Sequence, residues 1–136
     1  MKNFPDIHCH IIPNIDDGAD SMMVALAMAK QAVMNGTQWI IATPHQLGVN
    51  NKVTSDAIKT GAVLLQDQVN SQNIELTILP GADVRIDPEL TKFLKQGKVL
   101  TLADRGKHVL LELPHDTYYP LEQLLKSMRK QGLVGI

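Results

Sequence analysis

Trp39-Ile40-Ile41-Ala42-Thr43-Pro44-His45 is an apolar run that ends in a proline and an imidazole. A run this short suits a strand buried on both faces better than a helix. Upstream, Met22, Leu26, Ala29 and Val33 recur at helical spacing behind Asp20 or Ser21, either of which can cap a helix. Asn35-Gly36 ends that helix, because glycine adopts the left-handed stop conformation without a Cβ clash. Downstream, Thr54 or Ser55 can cap a second helix with Ile58, Leu65 and Val69 on one face. The rest of the chain repeats this unit. Phe4 to His10 reads as the first strand, Leu76 to Leu79 as the third, closed by Pro80-Gly81, and Val109 to Leu113 as the fourth. Asp87-Pro88-Glu89 predicts a helix start, with Asp as cap and Pro in the first helical position, and Gly97 stops that helix. Pro120 opens a last helix with Leu121, Leu124, Leu125 and Met128 facing inward, Gly132 ends it, and Val134-Gly135-Ile136 begins a fifth strand. Strict alternation of this kind predicts an α/β fold of about four parallel strand–helix units with the helices outside. Its parallel edges are left open, so it reads as the first half of a barrel.

The chain has 136 residues and a mass of 15.0 kDa, the size of one ordinary domain. Hydrophobic residues make up 44% and charged residues 20%, which places it among globular chains and not disordered ones. Thirteen Lys+Arg against fourteen Asp+Glu give a formal charge of -1, which removes the usual reason to expect nucleic-acid or anionic-membrane binding. A single cysteine excludes an internal disulfide framework. The sequence has no signal-peptide core and no apolar stretch near the roughly 18 residues of a membrane span. A cytoplasmic protein without membrane insertion is expected. Walker, G-x-S-x-G and dinucleotide motifs are absent.

Parallel α/β folds place their reactive groups at the carboxyl ends of the strands. Here those ends carry His8-Cys9-His10, with Asp16-Asp17-Gly18 shortly after, then His45, then Asp83 and Arg85, then Glu112 with His115 just beyond. His8 and His10 are two apart, so both imidazoles project to one face and can reach one metal, while Cys9 points to the core. Ile15 stands six residues after Cys9, where a cysteine-phosphatase loop needs Arg. Glu112 lies among Leu110, Leu111 and Leu113, and a carboxylate there needs a partner, either a divalent metal or Arg85 or Arg105. Asp17 and Asp83 also admit a turn-forming role. Arg85 suits either phosphate or the surface, and His115 either substrate or an exposed loop. Met22, Met23, Met28 and Met34 read as packing. Nitrogen and oxygen ligands without thiolate favour Mn, Fe or Zn, which suit metal-dependent hydrolysis of a phosphoester.

The same residues resemble the PHP (polymerase and histidinol phosphatase) superfamily, which opens with H-x-H. Within it, they are most similar to the bacterial PHP-type tyrosine-protein phosphatases of capsule and exopolysaccharide operons. The resemblance rests on Asp6-Ile7-His8-Cys9-His10-Ile11-Ile12-Pro13, Asp16-Asp17-Gly18, Ala42-Thr43-Pro44-His45, Leu79-Pro80-Gly81 and Leu111-Glu112-Leu113-Pro114, in order along nearly the whole chain. It implies a distorted TIM-like barrel of about seven units, of which residues 1–136 are the N-terminal part. It also implies up to three ions, often Mn with Fe or Zn as alternatives. The implied substrate is a phosphotyrosine protein, a bacterial tyrosine autokinase that controls polysaccharide chain length. By resemblance His8 and His10 ligate one metal, Glu112 bridges to a second, and Asp17, His45 and Asp83 hold the others. Asp17 and Arg85 become catalytic candidates, and Arg85 and His115 substrate-binding ones. The family usually has Glu at the position of Asp83. It also carries later His-Pro-Glu-Arg-like and Asp-x-His motifs that this sequence lacks, so weak or absent activity of the chain alone is expected. Two alternatives stand beside this reading: a non-enzymatic half-barrel that forms homo-oligomers through its open edges, and another PHP phosphoesterase.

Overall fold

Ser21 and Thr54 start the two long helices as their chemistry dictates. Ser21 Oγ accepts the Val24 N–H at 3.2 Å and Thr54 Oγ1 accepts the Ala57 N–H at 3.1 Å, each satisfying a donor the first helical turn leaves free. In this computed structural model, which describes residues 4–136, they open α1 (Met22–Met34) and α2 (Ser55–Ser71). The strands are β1 (Phe4–Cys9), β2 (Thr37–Ala42), β3 (His45–Gln46), β4 (Thr77–Pro80), β5 (Asp83–Arg85), β6 (His108–Glu112) and β7 (Val134–Gly135). Two further helices, α3 (Leu90–Lys95) and α4 (Glu122–Lys130), complete the set with a 3-10 turn over Leu102–Asp104. Each strand pairing is parallel, in the orders β1-β2-β4 and β3-β5-β6-β7.

The expected second and third strands form as β2 and β4, and each is followed after a break by a short strand that the sequence pattern does not predict, β3 and β5. Pro44 has no N–H for the ladder, and the chain breaks there between β2 and β3. The neighbouring strand breaks beside it at Gly81-Ala82, between β4 and β5. Pairing survives the break, since the Gly81 N–H donates to Ala42 O at 2.9 Å and the Asp83 N–H to Pro44 O at 3.0 Å. The two sheets are therefore one surface folded along a line. Gly81 permits the fold: a Cβ there would lie 2.7 Å from Ile41 Cγ2.

Helix α1 packs on β2, α2 on β4 and α4 on β7. The core between them takes Ile40, Ala42, Ile78, Val84 and Val109 from the strands, and Leu26, Ala29, Ile58, Leu65, Val69 and Met128 from the helices. These are the stripes the spacing predicts. Two expectations are corrected. Helix α3 starts at Leu90, because the Asp87 carboxylate accepts the Glu89 N–H at 2.7 Å and holds Pro88-Glu89 in a turn instead. Leu125 is exposed and lies over Gly135, not in the core.

Two features were not expected. Ile11 and Ile12 are buried in the loop after β1, and Ile12 is seated against Gly61 of α2. Gln46, also buried, staples the segments behind the second sheet. Its Nε2 donates to Val53 O and Lys98 O at 3.1 and 3.2 Å, and its Oε1 accepts the Leu100 N–H at 2.9 Å. Trp39 projects opposite to the buried Ile40 and is exposed, as are Phe4 and Ile7 on β1 and Val134 on β7. Among the described residues no helix is long and apolar enough to cross a membrane.

Candidate metal centre

Strand register brings the side chains together. His45 opens β3 directly beside Asp83, which opens β5, and Asp83 pairs with Leu110 of β6. Two residues on, Arg85 pairs with Glu112. With the period-two alternation of strands, His45, Asp83, Arg85 and Glu112 share one face. From the first sheet, β1 bulges between Asp6 and Cys9 and ends there, so His10 lies just past the strand. The buried Thr43 secures this end, its hydroxyl accepting the Cys9 N–H at 2.9 Å.

The imidazoles nevertheless meet, with His8 Nε2 and His10 Nε2 3.3 Å apart. Asp83 Oδ2 lies 3.4 Å from His8 Nε2, 3.9 Å from His10 Nε2 and 3.3 Å from His45 Nδ1. Glu112 Oε2 is 3.3 Å from the same His45 nitrogen. Asp17 Oδ1 stands 3.4 Å from His45 Nε2 and 3.9 Å from His10 Nδ1, on a side chain that is 79% exposed. All six residues expected to face a metal thus converge at the floor of an open cleft of about 950 Å³. Val49, Leu113, Pro114 and Ile136 form its apolar rim.

Glu112 uses its two oxygens differently. Oε2 faces His45, while Oε1 accepts a hydrogen bond from Arg85 Nη1 at 3.1 Å and lies 3.6 Å from His115 Nε2. Arg85 also donates to Leu113 O at 2.9 Å. The salt-bridge reading of Glu112 is observed, with Arg85 and not Arg105 as the partner, while Oε2 remains turned to the histidine cluster. His115 is largely exposed at the rim.

Asp16, the first acid of Asp16-Asp17-Gly18, is a site residue that the sequence does not separate from Asp17. Its side chain is fully buried, with Oδ2 2.7 Å from His10 Nδ1 and accepting the His45 N–H at 2.9 Å. Its Oδ1 accepts the Gly18 N–H at 3.0 Å. Gly18 is needed at this approach, because a Cβ would fall 2.1 Å from His10 O. Two adjacent acids before a glycine were the available signal, and nothing local distinguishes the buried one from the exposed one.

Charge in the cleft is out of balance. Burial pushes the Asp83 carboxyl above its usual range; the nearby imidazoles oppose this and Glu112 adds to it. Burial also acts to raise Asp16, but its hydrogen bonds with His10, His45 and Gly18 outweigh that and leave it lowered. The Asp16 hydrogen bond raises His10 against the opposing effect of burial. The Cys9 thiol is pushed up to about 11 by burial and by Asp6, so it offers no thiolate to the site.

A divalent cation fits this set. His45 Nδ1 is buried without a hydrogen-bond partner while facing two carboxylates. Asp83 is 6% exposed, with imidazoles around it and the Arg85 guanidinium committed to Glu112. Ligand atoms lie within 4.8 Å of one another in three overlapping groups: His10, Asp16, Asp17 and His45; His8, His10 and Asp83; His45, Asp83 and Glu112. Imidazole nitrogens and carboxylate oxygens suit a borderline or hard divalent ion.

Comparison with known proteins agrees with this geometry. Residues 4–136 match the family described as Capsular polysaccharide synthesis, CpsB/CapC. The chain is 36% identical over 133 residues to the tyrosine-protein phosphatase YwqE of Bacillus subtilis, covering 96% of this chain and 52% of that protein. It is 24% identical over 132 residues to the tyrosine-protein phosphatase CpsB of Streptococcus pneumoniae, covering 96% of this chain and 54% of that one. A crystal structure from work on YwqE and CpsB, described as unique metal-dependent tyrosine phosphatases, superposes with a TM-score of 0.92 at 35% identity. That match covers 97% of this chain and 53% of the other. The chain spans about half the length of the relatives it matches.

Proposed function

Because the chain belongs to the CpsB/CapC family of capsular polysaccharide synthesis, we propose that it forms the metal-binding wall of a metal-dependent protein-tyrosine phosphatase. The observation that carries this reading is the convergence of three imidazoles with Asp17, Asp83 and Glu112 in one cleft. In this reading the substrate is a phosphotyrosine protein, a bacterial tyrosine autokinase of capsule or exopolysaccharide synthesis, met in the cytoplasm. Mn is the proposed ion, with Fe or Zn as alternatives, and the three overlapping ligand groups support up to three ions.

Held here, such an ion supplies Lewis-acid polarisation of a phosphoryl oxygen and acidifies water near neutral pH. The chain's own groups do the rest. Arg85 lies in an adjoining pocket with His115, its Nη1 held by Glu112 and Leu113 O, and in this reading the remaining N–H groups of Arg85, with His115, bind phosphate oxygens. Asp17, whose side chain is exposed in the cleft, is the carboxylate that meets the substrate in this reading. Val49, Leu113 and Ile136 offer an apolar collar to an aromatic ring and exclude water from it.

The test is elemental mass spectrometry after incubation with Mn2+ and desalting, followed by phosphate release from a phosphotyrosine peptide. At least one retained ion per chain is expected, with turnover that EDTA stops. Turnover should be slow, because the resemblance places three further ligands outside the motifs found here. No retained ion overturns the reading. The competing non-enzymatic homo-oligomer draws on the exposed Trp39, Ile7 and Val134 beside the open edges, and it predicts association without phosphate release.

A further inference from the structure

Of the three imidazoles in the cleft, His10 is the one whose ring is hydrogen-bonded to a carboxylate, Asp16. Asp16 has a fully buried side chain and receives backbone N–H groups from His45 at 2.9 Å and Gly18 at 3.0 Å. A carboxylate already accepting two N–H bonds is an acceptor toward a third group. The hydrogen in its 2.7 Å contact with His10 therefore sits on Nδ1, which leaves the Nε2 lone pair facing His8 and Asp83. The same carboxylate binds the backbone of His45, the residue that opens the second sheet, while His10 follows the last strand residue of the first. One side chain thus sets the ring of one candidate ligand and the backbone of another across the line where the sheet folds.

Both Asp16 oxygens are occupied in this way, so a role outside the ligand sphere accounts for its contacts better than direct ligation. Asp17, next in sequence, remains exposed in the cleft. We propose that Asp16 is a positioning residue: it holds His10 with its proton on Nδ1, aims Nε2 at the metal centre, and fixes His45 relative to it. This rests on the metal-centre reading above. Carboxylates in such outer positions typically change metal affinity or activity about 10- to 100-fold when lost.

The test uses the full chain, 15N-labelled and stripped of metal, with a long-range proton–nitrogen correlation spectrum to show which His10 nitrogen carries hydrogen. Wild type should show it on Nδ1. Asp16→Ala should give a mixture of both forms and bind Mn2+, titrated alone by calorimetry, about 10- to 100-fold more weakly. Asp16→Asn, which keeps one carbonyl oxygen and guards against a variant that fails to fold, should fall between the two in both readouts. A wild-type His10 protonated on Nε2 overturns the proposal, as does either variant with wild-type affinity and an unchanged proton position. If wild type binds no Mn2+, the metal reading fails, yet the proton position in the metal-free protein still decides the role of Asp16.

Discussion

Asp83 is held against the interest of the metal-free fold. Its carboxyl is buried, its pKa is raised by that burial, and it faces Glu112 as well as imidazoles. Asp83→Asn should therefore raise the urea midpoint of the metal-free protein at pH 7 while weakening Mn2+ binding by at least about tenfold. Unchanged affinity would remove Asp83 from the ligand set. The His10–Asp16 pair sets a pH window for the same metal-free protein. His10 is raised, so its contribution is complete below about pH 6.5 and fades as pH climbs through the raised value. Asp16 is lowered, so its contribution is complete above about pH 3.9 and fades as pH falls through the lowered value. Raised Asp83 likewise favours the fold at acidic pH. Urea denaturation across pH should place maximal metal-free stability between about pH 4 and 6.5, and a maximum above pH 8 would contradict these shifts. At this scale the sequence was informative about residue type and position: His8, His10, His45, Asp17, Asp83 and Glu112 were named from strand ends and do converge. Asp16 was not separable from Asp17, since burial of one acid over its neighbour depends on where His45 folds back to meet it.

Elements were legible where their determinants are local. Ser21 and Thr54, each one of two adjacent candidates, cap α1 and α2, and the stripes of both helices pack on the core, because capping and a 3.6-residue period act within one turn. The short strands β3 and β5 that resume beyond the breaks after Ala42 and Pro80 are not legible in the sequence. A proline marks the first break, but it becomes a fold line only when Gly81 of the neighbouring strand yields alongside it. The staple made by Gln46 is equally nonlocal, joining Val53, Lys98 and Leu100. Gln46→Leu leaves these backbone groups without their partner and should cost about 2–4 kcal/mol in urea denaturation. Gly61→Ala should also destabilise, by about 1–3 kcal/mol, although alanine favours a helix. Its Cβ would fall 2.5 Å from Ile12 Cγ2, and Ile12 is 2% exposed. A stabilised Gly61→Ala protein would show that the loop after β1 is looser than its burial implies.

Over the whole molecule, helices cover one face of the folded sheet and leave Trp39 on the other, 42% exposed. Together with the exposed Phe4 and Ile7 of the neighbouring strand β1, it forms an apolar surface that favours association. Sedimentation should show concentration-dependent self-association, and Trp39→Ser should weaken it. The chain's single tryptophan makes Trp39 fluorescence a direct report of burial. A strict monomer with an unshifted emission maximum at all concentrations would oppose that expectation. The sequence by itself determined the α/β alternation, the start of each long helix to within two adjacent residues, the stop at Gly97, and the set of residues delivered to one rim. Those properties follow from backbone period, capping chemistry and proline or glycine constraints acting over a few residues. Only the tertiary structure decided that Glu112 divides its oxygens between His45 and Arg85, that Asp16 and not Asp17 is buried against His10, and that the sheet folds at Pro44 and Gly81. The first and third depend on pairing between strands far apart in the chain, and the second on His45 folding back to Asp16 across 29 residues; no local preference sets either.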